Sequence, residues 1–314
     1  MLQTCYVMPM LYLQKDFFIQ FCVRIFTNDK LFKGMMTNRK FYLLGLPLVA
    51  LLATACGQKN DASSAGEDDI TEFDINQKLV TAQKDYKVET DYGTVYLELS
   101  TSIQWPEKMG GFDLTTLRDS LLNFAYSDTT STSIREAVKK YIADTSVVDG
   151  AENIEVIDSL PADSMTYFNT ITASILDLNE QMVTYQVLGS TYLGGAHPMT
   201  AIHPFTYNFS DATVLDNSNI YLPGVPTDSI VPVIKEALAR QLGVTVKGLD
   251  RAGIWSNQLT YAGRPYISNN TLYFHYDPYE IGPYALGAVD VAVYPYEIDR
   301  FLQPSVRNLF DEGF

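Results

Sequence analysis

The spacing of apolar residues predicts one strand and two helices in the first half of the chain. In GTVYLELS (93–100), apolar and polar residues alternate, as they do in a strand with one buried face. Over 113–126, apolar residues recur every three or four positions, which predicts a helix with a stripe of leucines. A second helix is predicted to begin at Ser133, where SIRE forms a capping box with Glu136 reaching back. The next stretch, 144–164, is acidic and has no regular pattern.

Period-two alternation returns in the second half of the chain. TITASILDLN (170–179) and QMVTYQVLGSTYLG (181–194) have the pattern of antiparallel strands, and AIHPFTYNF (201–209) is predicted to pair with the second. A helix is predicted at 228–242, with Gly243 as its C-terminal cap. TLYFHYD and AVDVAVYPYEI predict two final strands. This order of elements predicts an α+β fold, with antiparallel sheets and helices packed on one face, rather than alternating βαβ units.

The segment MTNRKFYLLGLPLVALLATAC (36–56) resembles a bacterial lipoprotein signal peptide. Arg39 and Lys40 form a positive start, Phe41–Leu52 form an apolar run, and small residues lead to Cys56. The run is shorter than the ~20 residues of a membrane-spanning helix. This pattern predicts cleavage before Cys56 and lipidation of its thiol. The alternatives are an ordinary membrane anchor helix and cleavage by general signal peptidase.

The chain is predicted to contain five segments. Residues 1–35 end at the first of two consecutive methionines, where a signal peptide would begin. We expect them to be untranslated or unfolded, and the alternative is a genuine second hydrophobic segment. The signal peptide covers 36–55, and the polar, acidic residues 56–84 are expected to form a flexible tether. The folded part is divided into 85–210, an N-terminal α+β part that ends in the GGAH hairpin, and 211–314, a C-terminal part.

Net charge limits the partners that this chain can have. The whole chain has a net charge of −15, and residues 1–55 contain six basic and two acidic residues, so the remainder has a net charge of −19. That charge repels nucleic acids and anionic lipid surfaces, and it favours a basic protein as a partner, although acidity also serves solubility. Cys56 is the only cysteine of the remainder, so we expect no disulfide within it.

Two of the three histidines, His197 and His203, lie close together in the chain. They are six residues apart, a spacing that points them to different faces of a helix, and a proline follows each one. On a hairpin, His197 would lie in the loop and His203 in the returning strand. No zinc-binding pattern of the H-E-x-x-H or paired-cysteine type accompanies them. We therefore expect no metal site and no cofactor. We predict that His197 hydrogen-bonds the loop backbone beside Gly194 and Gly195.

The sequence contains no strong signature of a hydrolase. There is no G-x-S-x-G elbow, and a nucleophilic thiol is not expected because the thiol of Cys56 would be acylated. No residue is therefore assigned a catalytic role. A Ser–His–Asp arrangement built from distant residues stays open, because its members can be far apart in sequence.

Two longer segments resemble the RsiV-like family of extracytoplasmic domains. YLGGAHPMTAIHPFTYNFSDATVL is similar to the family's Gly-Gly-Ala-His motif and includes Gly194 and Gly195, with Pro198 where the family usually has glycine. LYFHYDPYEIGPYALGAVDVAVYPYEI is similar to the C-terminal signature, which includes Pro283 and Gly287. The resemblance implies an outer domain like that of lysozyme-binding anti-sigma factors, or an accessory region of peptidoglycan deacetylases. In this chain it would be a stand-alone lipoprotein domain.

Eight tyrosines lie between Tyr261 and Tyr296. Tyrosine offers a large contact area at a low cost in side-chain entropy, and aromatic rings are common in binding sites. Many of these rings are also expected to be buried in strands, with the hydroxyl bonded to the backbone. Tyr279 and Tyr284 lie in a proline-flanked loop and are the best candidates for exposure. We predict that they touch a ligand together with His197, on a ridge formed by GGAHP and PYEIGPY.

These features predict a lipid-anchored, extracytoplasmic protein of the bacterial cell envelope that binds a protein or glycan ligand without catalysis. It would contact the membrane through the lipid on Cys56, and nucleic acid is not expected as a partner. One alternative is a lysozyme-binding or lysozyme-inhibiting lipoprotein, because lysozymes are often basic. The other is a hydrolase that acts on envelope polysaccharide or peptidoglycan.

Overall fold

Residues 73–162 and 164–310 are described by the computed structural model. The predicted signal peptide, the lipidation site Cys56 and residues 1–35 lie outside these ranges. Within the part of the chain that is described, no helix is long and apolar enough to cross a membrane.

A seven-stranded sheet forms the larger part of the fold. Its strands are β1 (Ile75–Thr90), β2 (Gly93–Met109), β3 (Ala151–Ile157), β4 (Thr166–Leu178), β5 (Met182–Tyr192), β6 (Met199–Asn208) and β7 (Thr213–Val214). They lie in the order β3-β1-β2-β4-β5-β6-β7. Neighbouring strands are antiparallel except β2 and β4, which are parallel. A parallel pair needs a crossover connection, and the chain between β2 and β4 supplies it with two helices and the edge strand β3.

The two helices of this crossover cover one face of the large sheet. They are α1 (Thr115–Tyr126) and α2 (Ile134–Tyr141). The core between α1 and the sheet includes Leu117, Leu121, Val183, Tyr185 and Phe205. The predicted cap of α2 is present, because the Ser133 hydroxyl accepts the N–H of Glu136 at 3.3 Å. The Glu136 carboxylate in turn accepts the N–H of Thr132 at 3.1 Å.

A three-stranded antiparallel sheet and the remaining helices form a second core. The strands are β8 (Arg264–Ser268), β9 (Thr271–Tyr276) and β10 (Val289–Val293), in the order β10-β9-β8. Helix α3 (Ile230–Leu242) packs against this sheet. It ends at Gly243, whose φ of 67° makes the predicted left-handed cap. Two one-turn helices follow, α4 (Pro295–Ile298) and α5 (Pro304–Arg307).

Buried threonines join the two sheets. Thr184 on β5 and Thr206 on β6 are fully buried, and their hydroxyl oxygens are 2.7 Å apart. The Thr184 hydroxyl donates to the carbonyl of Ile267 on β8 at 2.5 Å, and the N–H of Ile267 donates to the Thr206 hydroxyl at 2.8 Å. Side chains alternate along β5, so Thr184 faces away from the residues that pack on α1. Here α1 covers one face of the large sheet and β8 covers the other.

The predicted α+β fold, with antiparallel sheets and helices on one face, is confirmed. The predicted tether is wrong from Ile75 onward, because β1 begins there and pairs with β2 along its whole length. The predicted division at residue 210 does not separate two bodies, since the described residues fall within one compact unit, Asp69–Phe314. β3 lies in the stretch that had no regular pattern. Most of its residues are exposed at the sheet edge, so apolar alternation was not needed there.

Candidate ligand-binding surface

The loop between β5 and β6 turns on two glycines. Gly194 and Gly195 have φ angles of 92° and 98°, a region that glycine adopts without a steric penalty. A side chain at Gly194 would also come within 3.3 Å of the hydroxyl oxygen of Tyr167. His197 follows in this loop, and its Nδ1 donates to the carbonyl of Pro198 at 2.9 Å. The two glycines therefore shape the hairpin that presents His197.

The loop after β9 begins with a tight turn. The N–H of Glu280 donates to the carbonyl of Asp277 at 3.1 Å, with Pro278 and Tyr279 between them. Tyr279 has a φ of 73°, the value that a type II turn requires at its third position. Glycine or asparagine usually takes that position, because a bulky side chain is strained there. Tyr279 itself lies at the surface and is 46% exposed.

The rest of this loop contains the second pair of motif residues. Pro283 has a φ of −68° and precedes the single 3₁₀ turn Tyr284–Leu286. Gly287, with a φ of 76°, ends that turn. Both residues therefore shape the backbone around Tyr284, whose ring is half-buried rather than exposed as predicted, because it contacts the neighbouring hairpin.

The two loops meet, and their contact brings the three predicted binding residues together. The rings of His197 and Tyr284 are stacked, with centroids 3.8 Å apart and an angle of 17° between the planes. The Tyr284 hydroxyl donates to the carbonyl of Pro198 at 2.9 Å. The ring of Tyr279 lies 5.6 Å from that of Tyr284. We call the surface formed by His197, Tyr279 and Tyr284 the aromatic ridge.

A group of charged residues lies beneath the aromatic ridge. Arg264 Nη2 is 2.6 Å from Asp277 Oδ2 and 3.4 Å from Glu280 Oε2. The side chain of His275 is buried between two carboxylates. Its Nδ1 is 2.7 Å from Asp290 Oδ1, and its Nε2 is 3.3 Å from Asp277 Oδ1. We call these five residues the Asp277 cluster. Sequence reasoning missed the cluster, although a histidine among the apolar residues of TLYFHYD was a signal for a buried polar contact.

The protonation of the Asp277 cluster follows from its contacts. Burial pushes the pKa of His275 down, but the carboxylates of Asp277 and Asp290 outweigh burial and hold this pKa above its usual value. Burial alone would raise the pKa of Asp277. Hydrogen bonds from His275 and from the N–H of Ile202, together with the charge of Arg264, hold it below its usual value instead. Neutral pH therefore favours a charged carboxylate at Asp277.

His203 lies apart from the aromatic ridge, on the α1 side of β6. Its ring stacks on that of Phe124, with centroids 4.0 Å apart. Burial lowers the pKa of His203 to about 4, and the positive charge of Arg264 adds to this effect. The structure therefore gives the two neighbouring histidines different surroundings. Within residues 73–162 and 164–310, no group of three or more His, Cys, Asp or Glu side chains could hold a metal ion.

The other tyrosines of the C-terminal cluster divide between core and surface. Tyr276 is fully buried and donates to the carbonyl of Tyr261 at 2.8 Å. Burial also raises the pKa of Tyr266, which stacks on another tyrosine ring of the small sheet. Tyr294 and Tyr296 are exposed and stack on each other, with centroids 5.7 Å apart. Exposure alone therefore does not set the aromatic ridge apart, whereas its assembly from two distant loops does.

Residues 218–296 match a family model described as a protein of unknown function, DUF3298. The matched segment contains the small sheet and the loop with Tyr279 and Tyr284. The chain is similar to the crystal structure of a DUF3298 family member from Bacteroides fragilis, with a TM-score of 0.58 and 15% identity, over 74% of this chain and 96% of that one. The fold is therefore shared at low identity. A DUF3298 protein from Pseudomonas aeruginosa is similar over the same shares, with 13% identity and a TM-score of 0.47.

The chain is also similar to a Mycobacterium tuberculosis protein named Esterase Rv3036c. The two are 32% identical over 103 residues, which is 32% of this chain and 44% of that protein. The matched part thus covers less than half of the relative's length.

Proposed function

We propose that this chain is a lipid-anchored protein of the bacterial cell envelope that binds a protein or glycan ligand through the aromatic ridge. The observation that carries this proposal is the stacking of His197 on Tyr284, next to an exposed Tyr279 in a strained turn. Strained residues persist where the surrounding structure holds them, and they are concentrated at functional sites. Glycine would relieve the strain at this position, so the presence of a tyrosine supports a binding role for its ring.

The chemistry of the ridge is suited to a partly apolar ligand with hydroxyl or amide groups. The tyrosine rings present flat faces that can stack on a sugar ring or cover an apolar side chain, and they lose little entropy on binding. Their position on loops of a rigid frame is typical of binding residues. The envelope location rests on the signal peptide and Cys56. A net charge of −19 after residue 55 favours a basic protein such as lysozyme among protein ligands.

Binding is tested with two probes, soluble peptidoglycan fragments and lysozyme, against the purified chain from Cys56 onward. We expect one of them to bind and Tyr284→Ala to weaken that binding at least tenfold, because an interface tyrosine is often worth ~2 kcal/mol. Tyr296→Ala is the control, since Tyr296 is an exposed tyrosine outside the ridge, whereas Tyr284 is half-buried within it. Binding that both variants keep in full would place the ligand elsewhere, and no binding of either probe to the unaltered chain would reject both ligands.

A second candidate function is ester hydrolysis, because the chain is similar to a protein named as an esterase. The contacts of the histidines favour binding instead. The ring of His197 bonds to a carbonyl, that of His203 packs on Phe124, and that of His275 is 1% exposed between two carboxylates. Hydrolysis of p-nitrophenyl acetate is the test. A rate above that of buffer that is lost in His197→Ala would favour the esterase over the binding protein.

A further inference from the structure

We infer that Asp277 is the positioning residue of the aromatic ridge, because its carboxylate and backbone hold together the two loops that carry the three rings. This inference rests on the proposed function of the ridge. It concerns how the rings are held and not which ligand they bind.

Asp277 bonds to its own turn and to the strand that follows the loop with His197. Its Oδ1 accepts the N–H of Ile202 at 2.8 Å, and Ile202 lies on β6, shortly after His197. Its own N–H donates to the Glu280 carboxylate, while its carbonyl accepts the N–H of Glu280. These reciprocal bonds close the turn that holds Tyr279 in its left-handed conformation. A single residue therefore fixes the turn and ties it to the strand that leaves the hairpin.

The small sheet holds this carboxylate in place. Arg264 on β8 and His275 on β9 are directly opposite each other in the sheet, and both contact Asp277. Asp290 on β10 contacts the other nitrogen of His275, which orients the ring toward Asp277. The carboxylate therefore has partners from all three strands of the small sheet, directly or through His275. Its position is set by a rigid frame and not by the flexible loops that it joins.

Asp277 binds at the edge of β6, where it can fix the position of the hairpin that carries His197. Among the described residues, β7 pairs only with Tyr207 and Asn208 of β6, and no strand pairs with the part of that edge nearer the hairpin. The Asp277 carboxylate takes the N–H of Ile202 there. The Asp277–Arg264 pair is partly exposed, and exposed ion pairs contribute little to the free energy of unfolding because water competes for them. Loss of Asp277 should therefore separate the two loops, and it also removes one of the two carboxylate partners of the buried His275 ring.

The ring of His197 reports this contact without any ligand. The chain has three histidines, so its histidine ring protons form a simple NMR spectrum, and His197→Gln identifies the signal of His197. The Tyr284 ring, 3.8 Å away, should shift that signal upfield. We expect Asp277→Ala to lose more than half of this shift. Asp277→Asn should keep most of it, since the amide oxygen can still accept the N–H of Ile202. Asp177→Ala is the matched control, because the Asp177 carboxylate also accepts a backbone N–H from a distant part of the chain, that of Asn269, but belongs neither to the aromatic ridge nor to the Asp277 cluster.

Each outcome decides the inference. An unchanged His197 signal in folded Asp277→Ala refutes the positioning role, whether or not the ridge binds anything. A lost shift in a protein that binds neither peptidoglycan fragments nor lysozyme upholds the role of Asp277 while the proposed function fails. If Asp277→Ala does not fold, Ile202→Pro removes the N–H that Asp277 Oδ1 accepts on this sheet edge and should reduce the shift. An unchanged shift in folded Ile202→Pro would then refute the inference.

Discussion

Acidification should destabilise this protein through the partly buried ring of His203. In the unfolded chain a histidine has a pKa of about 6.5. In the folded protein burial lowers the pKa of His203 to about 4, because the ring packs on Phe124 and lies near the positive charge of Arg264. The unfolded chain therefore binds a proton more readily than the folded protein does. This contribution to stability is full above pH 6.5, and it is lost as the pH falls from 6.5 toward 4.

The size of the effect follows from the two pKa values. Their difference corresponds to about 3 kcal/mol of unfolding free energy between the two pH limits, since one pKa unit is worth about 1.4 kcal/mol. Because the loss is gradual, a change from pH 7 to pH 5 should remove about 2 kcal/mol. That is a large part of the stability of an ordinary domain, so a denaturation experiment can measure it.

The assay is urea denaturation of the unaltered protein and of His203→Gln at pH 7 and pH 5. The glutamine cannot titrate, so the variant should lose about 2 kcal/mol less than the unaltered protein between the two pH values. Taking the difference between the two proteins cancels the contributions of other titrating groups. His197→Gln is the matched control and should keep the full acid sensitivity, because it leaves His203 in place. Equal losses in the unaltered protein and in His203→Gln would refute the argument from burial.

Four further results are expected. Tyr279→Gly removes an exposed ring and relieves a φ of 73°, a conformation that costs a tyrosine ~1–2 kcal/mol. The melting temperature of this variant should therefore stay level or rise, and a clear fall would contradict the turn geometry. Thr184→Val should lower the unfolding free energy measured in urea by ~1–3 kcal/mol, because Thr206 and the carbonyl of Ile267 lose a buried hydrogen-bond partner. Thr170→Val, on the partly exposed face of the sheet, should change this free energy little. Equal effects of the two valines would argue against the threonine junction. His197→Ala should cost ~1 kcal/mol for its lost hydrogen bond, and metal analysis should find no metal that the unaltered protein holds and this variant loses. In the producing bacterium, Cys56→Ala should abolish labelling with a fatty acid, and unchanged labelling would contradict lipidation of that residue.

Local pattern predicted the elements whose burial is one-sided. The alternation in 93–100 and 181–194 corresponds to β2 and β5: Leu97 and Leu99 of β2 pack in a core with Val148, and one face of β5 packs against α1. The same reasoning missed β8, because all of its residues after Arg264 are buried and no alternation remains. It also extended the last strand too far, since PYEI forms the one-turn helix α4. Strands buried on both sides, or exposed on both sides as β3 mostly is, carry no period for a sequence pattern to reveal.

The three residues of the aromatic ridge were predicted from their motifs, but their partners were not. Glycine and proline at strand ends indicated loops, and loops are where exposed rings collect. The sequence did not indicate that Asp277 would reach Ile202, because these residues are far apart in the chain and meet only when β8 packs on β6.

The sequence by itself therefore determined the α+β class, the helix caps and the two loops that carry the ridge, because each depends on residues within a few positions of one another. The tertiary structure alone decided the parallel pairing of β2 with β4, the threonine junction between the sheets and the stacking of His197 on Tyr284. Those features join residues separated by tens of positions. Their geometry is set by how whole sheets pack, and no local period along the chain records it.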